Sequence, residues 1–374
     1  MKKTWLAVAL ACGTLSLNAL ADVSINGFAS VKAGTALGSD DVKDGYTDEI
    51  SFNNESLFAV QFQSDLGDKL SVTAQVMARG NNDYNANFEW AFITYQATES
   101  WRFNAGRLRT PFYKYSDFRD VGYAYDWLRT PQSVYSLGFD TIEGISAYHT
   151  GNIGELNSNL QLVFGAYDGE NRVAGVLSPT QINEIKGITW EVGQDWLTLR
   201  LAYLNGKVTV TSDALTPLLT GLNQAGLGSI ARAIDFNEEN GTFFGAGLSF
   251  DRNNWVAVTE YTKVTVDDSF YGDQKSFYAS LGYRFGAITP YISYEIDDDK
   301  AKTFIYNGLP AGLPIRSVIA GVVDSQEWDH KTTNIGLRYD FHPSAAFKVQ
   351  YSTSDDNTDN LTPSNIAVGV DVVF

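Results

Sequence analysis

Hydrophobic and polar residues alternate along the chain in many separate segments. Within residues 70–78 every second residue is hydrophobic, and most of the residues between them are polar. Residues 365–374 keep the same alternation up to the terminal carboxylate. A period of two residues is that of a β-strand whose two faces meet different surroundings, so the pattern predicts an all-β protein.

Sixteen such segments can be counted, each of about ten residues, which is the length of a tilted strand that crosses a bilayer. The predicted strands lie near 23–34, 55–65, 69–79, 87–98, 101–107, 140–150, 156–167, 186–193, 196–205, 241–251, 254–265, 274–285, 288–297, 331–341, 345–354 and 365–374.

Short and long connections alternate between these segments. The short ones include 65–68, 193–195, 251–254 and 342–345, and the long ones run over about 35–54, 108–139, 168–185, 206–240 and 298–330, with shorter members at 80–86, 266–273 and 355–364. Tight turns on one side and long loops on the other are typical of outer-membrane barrels. We therefore predict a transmembrane antiparallel β-barrel of sixteen strands, with short periplasmic turns and long extracellular loops.

Aromatic residues next to the short turns support this interpretation. Seven stand beside these turns or at the terminus: Trp101, Phe250, Trp255, Phe285, Phe341, Phe347 and Phe374. An aromatic girdle is expected where a barrel meets the membrane interface. Because an open strand edge is not tolerated in lipid, the last strand is expected to pair with the first, near 23–34.

The N-terminal segment predicts export. Residues 1–21 combine two lysines, an apolar core and a small-x-small site, which is the pattern of a signal peptide cleaved between Ala21 and Asp22. A lipoprotein leader that carries its lipid on Cys12 is the alternative, but the apolar core continues past this cysteine. The mature chain, 22–374, is then a single barrel domain. The formal net charge of −17 argues against a nucleic-acid partner.

The residues resemble the trimeric, sixteen-stranded general porins of Gram-negative bacteria. The resemblance rests on the leader, the first strand "VSINGFASVKAG", the long third loop and the terminal "VGVDVVF". It implies a homotrimer of water-filled channels in the outer membrane, in contact with lipid and lipopolysaccharide. It also implies that the barrel assembly machinery recognises Val370, Val372 and Phe374. The second loop, 80–86, departs from the family because it is short.

Residues 107–139, the predicted third loop, contain nine aromatic residues. So many aromatic side chains are unusual in an exposed loop, and the interior wall of the barrel is the nearest surface that could cover them. We therefore expect the loop to fold inward and narrow the channel. The alternative is a loop that packs over the barrel mouth or against another subunit.

Charged residues of this loop and of the wall are the candidate pore residues. The predicted constriction comprises Arg107, Arg109, Tyr113, Lys114, Asp117, Arg119 and Asp120, and the predicted pore wall comprises Lys32, Arg79, Arg200, Arg284, Arg338 and Lys348. The outer loops are acidic at Asp40, Asp41, Asp44, Asp48, Glu49, Asp297, Asp298, Asp299, Asp355, Asp356 and Asp359. These acids should concentrate cations at the mouth, which predicts a weak cation preference.

The sequence gives little support for catalysis. The three histidines, His149, His330 and His342, have no nearby nucleophile in the sequence, and no metal-ligand pattern or cofactor motif occurs. Passive diffusion of ions and small hydrophilic solutes is the predicted function. A channel selective for one solute class, such as sugars or small organic acids, is the alternative, and a non-conducting structural or adhesive barrel is a third. Residues 216–234 have the spacing of a short amphipathic helix that would cap the mouth.

Overall fold

The structure is a computed structural model that describes residues 23–38, 42–173, 176–357 and 361–374. Sixteen antiparallel strands follow one another around a closed barrel, in which the first strand pairs with the last. The strands are β1 Val23–Ala36, β2 Leu57–Gly67, β3 Leu70–Arg79, β4 Ala86–Gln96, β5 Trp101–Arg109, β6 Thr141–Ile153, β7 Leu156–Val173, β8 Val176–Gln194, β9 Leu197–Val210, β10 Glu239–Arg252, β11 Trp255–Val266, β12 Gln274–Tyr283, β13 Ile288–Asp299, β14 Trp328–His342, β15 Ala345–Asp356 and β16 Ser364–Val373. The predicted fold and strand number are confirmed. The predicted cleavage between Ala21 and Asp22 lies outside the described residues.

Each strand presents one face outward and one to the lumen. On β16 the side chains of Ile366 and Val368 are exposed, whereas those of Asn365 and Asp371 are buried. The outward face is hydrophobic and the inward face carries polar groups, as expected for strands that contact lipid on one side only. This alternation is the period-two pattern of the sequence.

One predicted long loop is wrong. Residues 168–173 and 176–185 form the outer part of a long hairpin, because β7 and β8 continue pairing until Val173 lies opposite Val176. Two register shifts, near Gly165 and near Asn183, accompany this extension. The segment is polar because it extends beyond the lipid, and polar side chains do not prevent backbone strand pairing in water. Composition therefore suggested a loop where the chain forms strands.

Within the described ranges, four α-helices lie among the long loops: α1 Thr216–Gln224, α2 Gly228–Ile234, α3 Phe304–Asn307 and α4 Pro314–Asp324. The predicted helix over 216–234 is split into α1 and α2, because Gly226 adopts a positive φ of 76° between them. Leu222, Ile234, Phe270 and Ile319 are fully buried in a hydrophobic cluster that joins these helices. We call the three connections that carry this cluster, residues 211–238, 267–273 and 300–327, the cap. None of the helices in the described ranges is long and apolar enough to cross a membrane.

The barrel closes at the C terminus as predicted. The backbone N–H of Phe374 donates to the carbonyl of Gly27 at 2.9 Å, and the N–H of Gly27 donates back at 2.8 Å. The Phe374 ring lies over Gly27, where a Cβ atom would come within 2.3 Å of the ring, and it stacks on Phe58 at 5.9 Å. Glycine at position 27 therefore leaves the space that this aromatic ring fills.

Candidate functional site

The third loop, residues 110–140 between β5 and β6, is hereafter L3. Its side chains Phe112, Tyr113, Trp127 and Tyr135 are between 2% and 4% exposed, so they are covered almost completely. They belong to one hydrophobic cluster with inward-facing residues of the strands. The Phe112 ring lies 4.8 Å from that of Phe243 on β10. These aromatic side chains of the loop are thus covered by the inner wall, whereas Phe118 is 37% exposed.

Cationic side chains of the wall bind the backbone of L3. Arg200 on β9 donates to the carbonyls of Pro111 at 2.6 Å and Phe112 at 2.9 Å. Lys348 on β15 donates to the carbonyls of Gly122 at 2.6 Å and Trp127 at 2.7 Å. Charged donors form the stronger kind of hydrogen bond, so these contacts fix the path of the loop.

Two further wall cations act in the same way. Arg338 on β14 donates to the carbonyls of Tyr123 and Tyr125, at 2.8 Å and 2.9 Å. Lys32 on β1 donates to the carbonyl of Leu128 at 2.5 Å. These four predicted pore-wall residues are therefore inward-facing and donate to the backbone of L3 rather than being directed into open water.

Buried acids of the wall bind L3 at other positions. Glu260 on β11 accepts hydrogen bonds from the backbone N–H of Lys114 at 2.8 Å and from the Tyr135 hydroxyl at 2.9 Å. Glu295 on β13 accepts from both the N–H and the hydroxyl of Ser133, at 3.1 Å and 3.0 Å. Each carboxylate thus satisfies donors that L3 could not otherwise pair inside the barrel.

An ion-pair cluster holds the start of L3. Asp120 lies 2.6 Å from Arg109 and 3.2 Å from Arg79, while Arg109 also pairs with Asp140 and Arg79 pairs with Glu89. Burial by itself would raise the pKa of Asp120, but the two guanidinium groups outweigh burial and lower this pKa below its ordinary value. Asp120 is therefore ionised throughout the neutral range.

Gly122 of L3 packs against the ion pair that Lys348 forms with Asp371. The charged atoms of this pair are 2.9 Å apart. A Cβ atom at position 122 would lie 2.2 Å from an oxygen of Asp371, so only glycine fits without displacement. The sequence offers no sign of this contact, because Gly122 and Asp371 are 249 positions apart. It escaped prediction for that reason.

Some predicted site residues are not brought to L3. Arg107 is exposed and lies opposite Ala91 and Glu143 in the register, on the outer face of the sheet, so its prediction as an inward residue is wrong. Arg284 follows β12 and pairs with Asp251 at 2.6 Å and 2.7 Å, beside the short turns. Neither arginine holds L3.

The remaining predicted constriction residues differ in their environment. Asp117 is exposed, Arg119 lies 3.9 Å from Asp140, and Lys114 lies 3.7 Å from Glu191 on β8. Lys114, Asp117, Glu191 and Arg200 line a polar cavity of about 270 Å³ next to L3. This cavity presents both signs of charge.

The loop acids are less exposed than predicted. Asp44 pairs with Arg129 of L3, Asp299 is 4% exposed, and Asp356 pairs with His330 at 2.6 Å. Asp48, Glu49 and Asp355 are exposed, while Asp40, Asp41 and Asp359 lie outside the described residues.

A second cavity, of about 470 Å³, lies between L3, strands β8–β11 and the cap. Phe112, Leu137 and Phe139 of L3 form one side of it, and Ile182, Leu204 and Val264 form part of the wall. Its lining is mostly hydrophobic, in contrast to the polar cavity. L3 therefore borders one polar space and one apolar space.

Comparison with known proteins identifies the family. Residues 6–371 match the family model of the Gram-negative porins. Among solved structures, the outer-membrane channel DcaP of Acinetobacter baumannii is similar, with a TM-score of 0.61 and 13% identity over 95% of this chain and 97% of that one. OmpF of Salmonella typhi, solved in complex with daunomycin, has a TM-score of 0.56 and 16% identity over 95% and 98%.

A third similar structure is an anion-selective porin from Comamonas acidovorans, with a TM-score of 0.57 and 12% identity over 95% of this chain and 100% of that one. Comparison with curated protein sequences gives no match. The family match covers nearly the whole chain, and the barrel agrees with it in strand number and closure. The chain therefore belongs to the Gram-negative porins, which form solute-diffusion channels in the outer membrane.

Proposed function

We propose that ions and small hydrophilic solutes diffuse through the lumen of this barrel and that L3 narrows their path. The observation that carries the proposal is the set of hydrogen bonds from Lys32, Arg200, Arg338 and Lys348 to carbonyl groups of L3. These donors stand on β1, β9, β14 and β15, so the loop is held from different sides of the lumen. A loop held in this way limits the size of the solutes that pass it.

The ion preference that we propose is weak and favours cations. Exposed acids at the loop side of the barrel, among them Asp48, Glu49 and Asp355, attract cations to the mouth. Inside, the polar cavity is lined by three cationic side chains, those of Arg102, Lys114 and Arg200, and by two carboxylates, those of Asp117 and Glu191, so the two signs nearly balance there. The acidic mouth then determines the preference, and added salt should weaken it because exposed charges are screened.

Shortening L3 tests the constriction. A deletion within residues 112–132 should raise single-channel conductance in planar bilayers and admit larger sugars in liposome-swelling assays, because the bound loop no longer occupies the lumen. A deletion within the loop 357–363 is the control, because it shortens a different loop of the same barrel. Equal conductance in the native protein and the L3 deletion would place the permeation path away from L3. A native barrel without conductance would instead favour the structural or adhesive alternative.

Charge reversal tests the ion preference in the same bilayers. Asp117→Lys changes an exposed charge next to the polar cavity and should move the reversal potential towards anions. Asp355→Lys changes an exposed charge at the loop-side end of β15 and should have a smaller effect that disappears in high salt. Identical shifts for both variants would contradict a role for L3 in selectivity.

We propose a channel without catalytic activity. The His149 ring contacts that of Trp101 with centroids 4.7 Å apart, His330 pairs with Asp356, and the Nδ1 atom of His342 accepts a hydrogen bond from the N–H of Ser344. Each histidine is thus engaged in a contact that gives it a structural role.

A homotrimer is part of the proposal. Its support is family membership and the similarity to an OmpT structure of Vibrio cholerae described in its trimer form, with a TM-score of 0.54 and 11% identity. Light scattering of the unheated protein in detergent should give about three times the mass of one chain, after subtraction of the detergent. A stable monomer with native channel activity would refute the trimer. Lipopolysaccharide and the assembly machinery remain proposed partners.

A further inference from the structure

The cavity of about 470 Å³ between L3 and the cap differs from the rest of the lumen in its chemistry. Its boundary includes 25 residues in the described part of the chain, and none of these carries a formal charge. Hydrophobic side chains form most of it, including Ile182, Leu204, Val208 and Val264 from the wall. The interior of a porin barrel is ordinarily polar because water fills it, so an uncharged, hydrophobic space of this size requires an explanation.

The side-chain amides on the wall of the cavity, Asn205 and Gln274, already have hydrogen-bond partners. The side-chain amide of Asn205 donates to Asn240 at 2.6 Å and to the carbonyl of Gly241 at 3.0 Å. The amide of Gln274 donates to Asp299 at 3.0 Å, and its oxygen accepts from the Tyr271 hydroxyl at 2.9 Å. A molecule in the cavity is therefore not required to satisfy these groups, and a charged molecule would lose its hydration without compensation.

Aromatic rings are available for contact with a ligand. Phe112 and Phe139 of L3 meet edge to face, with ring centroids 5.1 Å apart, and both reach the boundary of the cavity. Tyr271 and Trp328 reach it from the loop side. Protein interiors are packed without voids of this size, whereas ligand pockets occupy roughly 300–1,000 Å³. The volume and the lining match a binding site better than a structural core.

Small residues on the wall keep the space open. A Cβ atom at Gly206 would lie 2.9 Å from the Cγ2 atom of Ile182, and one at Gly241 would lie 2.8 Å from the Cγ2 atom of Val208. Glycine at these positions lets the two branched side chains lie back against the wall. The space in front of them is then left unfilled.

We propose that this cavity binds uncharged amphipathic solutes that carry an aromatic group, and that it is the selective site of the channel. The proposal deepens the proposed function and rests on it, since the solute is taken to reach the cavity on its way past L3. The aromatic group would contact Phe112, Phe139 and Trp328, and the polar end of the solute would remain in water. Aryl glycosides are one class with this chemistry.

A matched pair of probes tests the site: phenyl β-D-glucoside and methyl β-D-glucoside, which are both uncharged and differ in the aromatic group. Calorimetric titration of the purified, full-length protein in detergent should give saturable binding of the phenyl glucoside and none of the methyl glucoside, after subtraction of empty micelles. In bilayers the phenyl glucoside should interrupt the ion current in a concentration-dependent way.

A side chain that fills the cavity should abolish the difference in binding between the phenyl and the methyl glucoside. Val264→Trp places a large ring on the cavity boundary and should weaken binding of the phenyl glucoside at least tenfold. Val208→Trp is a second variant at the same cavity, in case the first does not fold. Val256→Trp, on the same face of β11 but outside the cavity, should bind as the native protein does. Heat-modifiable migration on gels verifies that each barrel is folded.

The outcomes separate this inference from the proposed function. Equal behaviour of the two glucosides, or unchanged binding by both cavity-filling variants, overturns the assignment of the cavity even if the barrel conducts ions. A barrel that binds the phenyl glucoside but conducts no ions overturns the channel proposal and, with it, the role of the cavity in transport.

Discussion

At the scale of single residues, the charges of the lumen are mainly used to hold L3. Lys32 and Lys348 are 5% and 0% exposed, and both donate to loop carbonyls. Ionised side chains are costly to bury unless they are paired or hydrogen-bonded, and the carbonyl groups of L3 supply hydrogen bonds that replace water at both ammonium groups. Each lysine therefore fixes the backbone of the loop that covers it.

Asp120 provides a test of this dependence. Asp120→Asn keeps the shape of the side chain but removes the charge that binds Arg109 and Arg79, which should weaken the attachment of L3 by about 2 kcal/mol. The expected result is a larger fluctuation of the open-channel current and a lower unfolding temperature of the barrel in detergent. Asp117→Asn, which changes an exposed acid of the same loop, should have little effect on either measurement.

The pH dependence follows from the lowered pKa of Asp120. A carboxyl group with a folded-state pKa below its unfolded value contributes stability at all pH values above the unfolded pKa, and this contribution is lost as the pH falls through the folded pKa. The current fluctuation of the native protein should therefore be the same at pH 7 and pH 5, and that of Asp120→Asn should be raised at both. Equal current fluctuation of the native protein and of Asp120→Asn at both pH values would show that Asp120 does not hold the loop.

At the scale of elements, the strands were predictable and several connections were not. Alternation identified all sixteen strands because each has lipid on one side and the lumen on the other. The outer halves of β7 and β8 extend beyond the lipid, where the two faces of a strand no longer meet different surroundings. Their polar sequence therefore resembles that of a loop. The register shift near Asn183 also interrupts the alternation within β8.

The contacts of L3 could be predicted in kind but not in detail. Nine aromatic residues in one stretch indicated a covered loop, because such side chains are not stable in water. Which wall residues meet them depends on pairs that are far apart in sequence, such as Lys348 with Gly122. The apolar cavity was missed for the same reason, since its boundary combines L3, residues of strands β7–β12 and β14, and parts of the cap.

At the scale of the whole molecule, closure of the barrel depends on the two ends of the described chain. The pairing of β1 with β16 extends from Phe28 opposite Val373 to Ala36 opposite Asn365. Beyond it, Phe374 and Gly27 exchange backbone hydrogen bonds, and the ring of Phe374 covers Gly27. Because a barrel has no free edge only when this last pair forms, the terminal residue contributes to the stability of every other strand.

The side chain of Phe374 is also expected to guide assembly, as the porin resemblance implies for Val370, Val372 and Phe374. Phe374→Ser removes the ring from Gly27 and Phe58, and it should lower the yield of heat-modifiable barrel in outer membranes several-fold. Phe285→Ser is the matched control, because Phe285 is 63% exposed, close to the 59% of Phe374, and stands beside an internal turn. Membrane fractions quantified by gel migration should show a large loss for the first variant and a small loss for the second. Equal losses would assign the effect to the aromatic girdle in general, and an unchanged yield for Phe374→Ser would show that neither closure nor recognition requires the terminal ring.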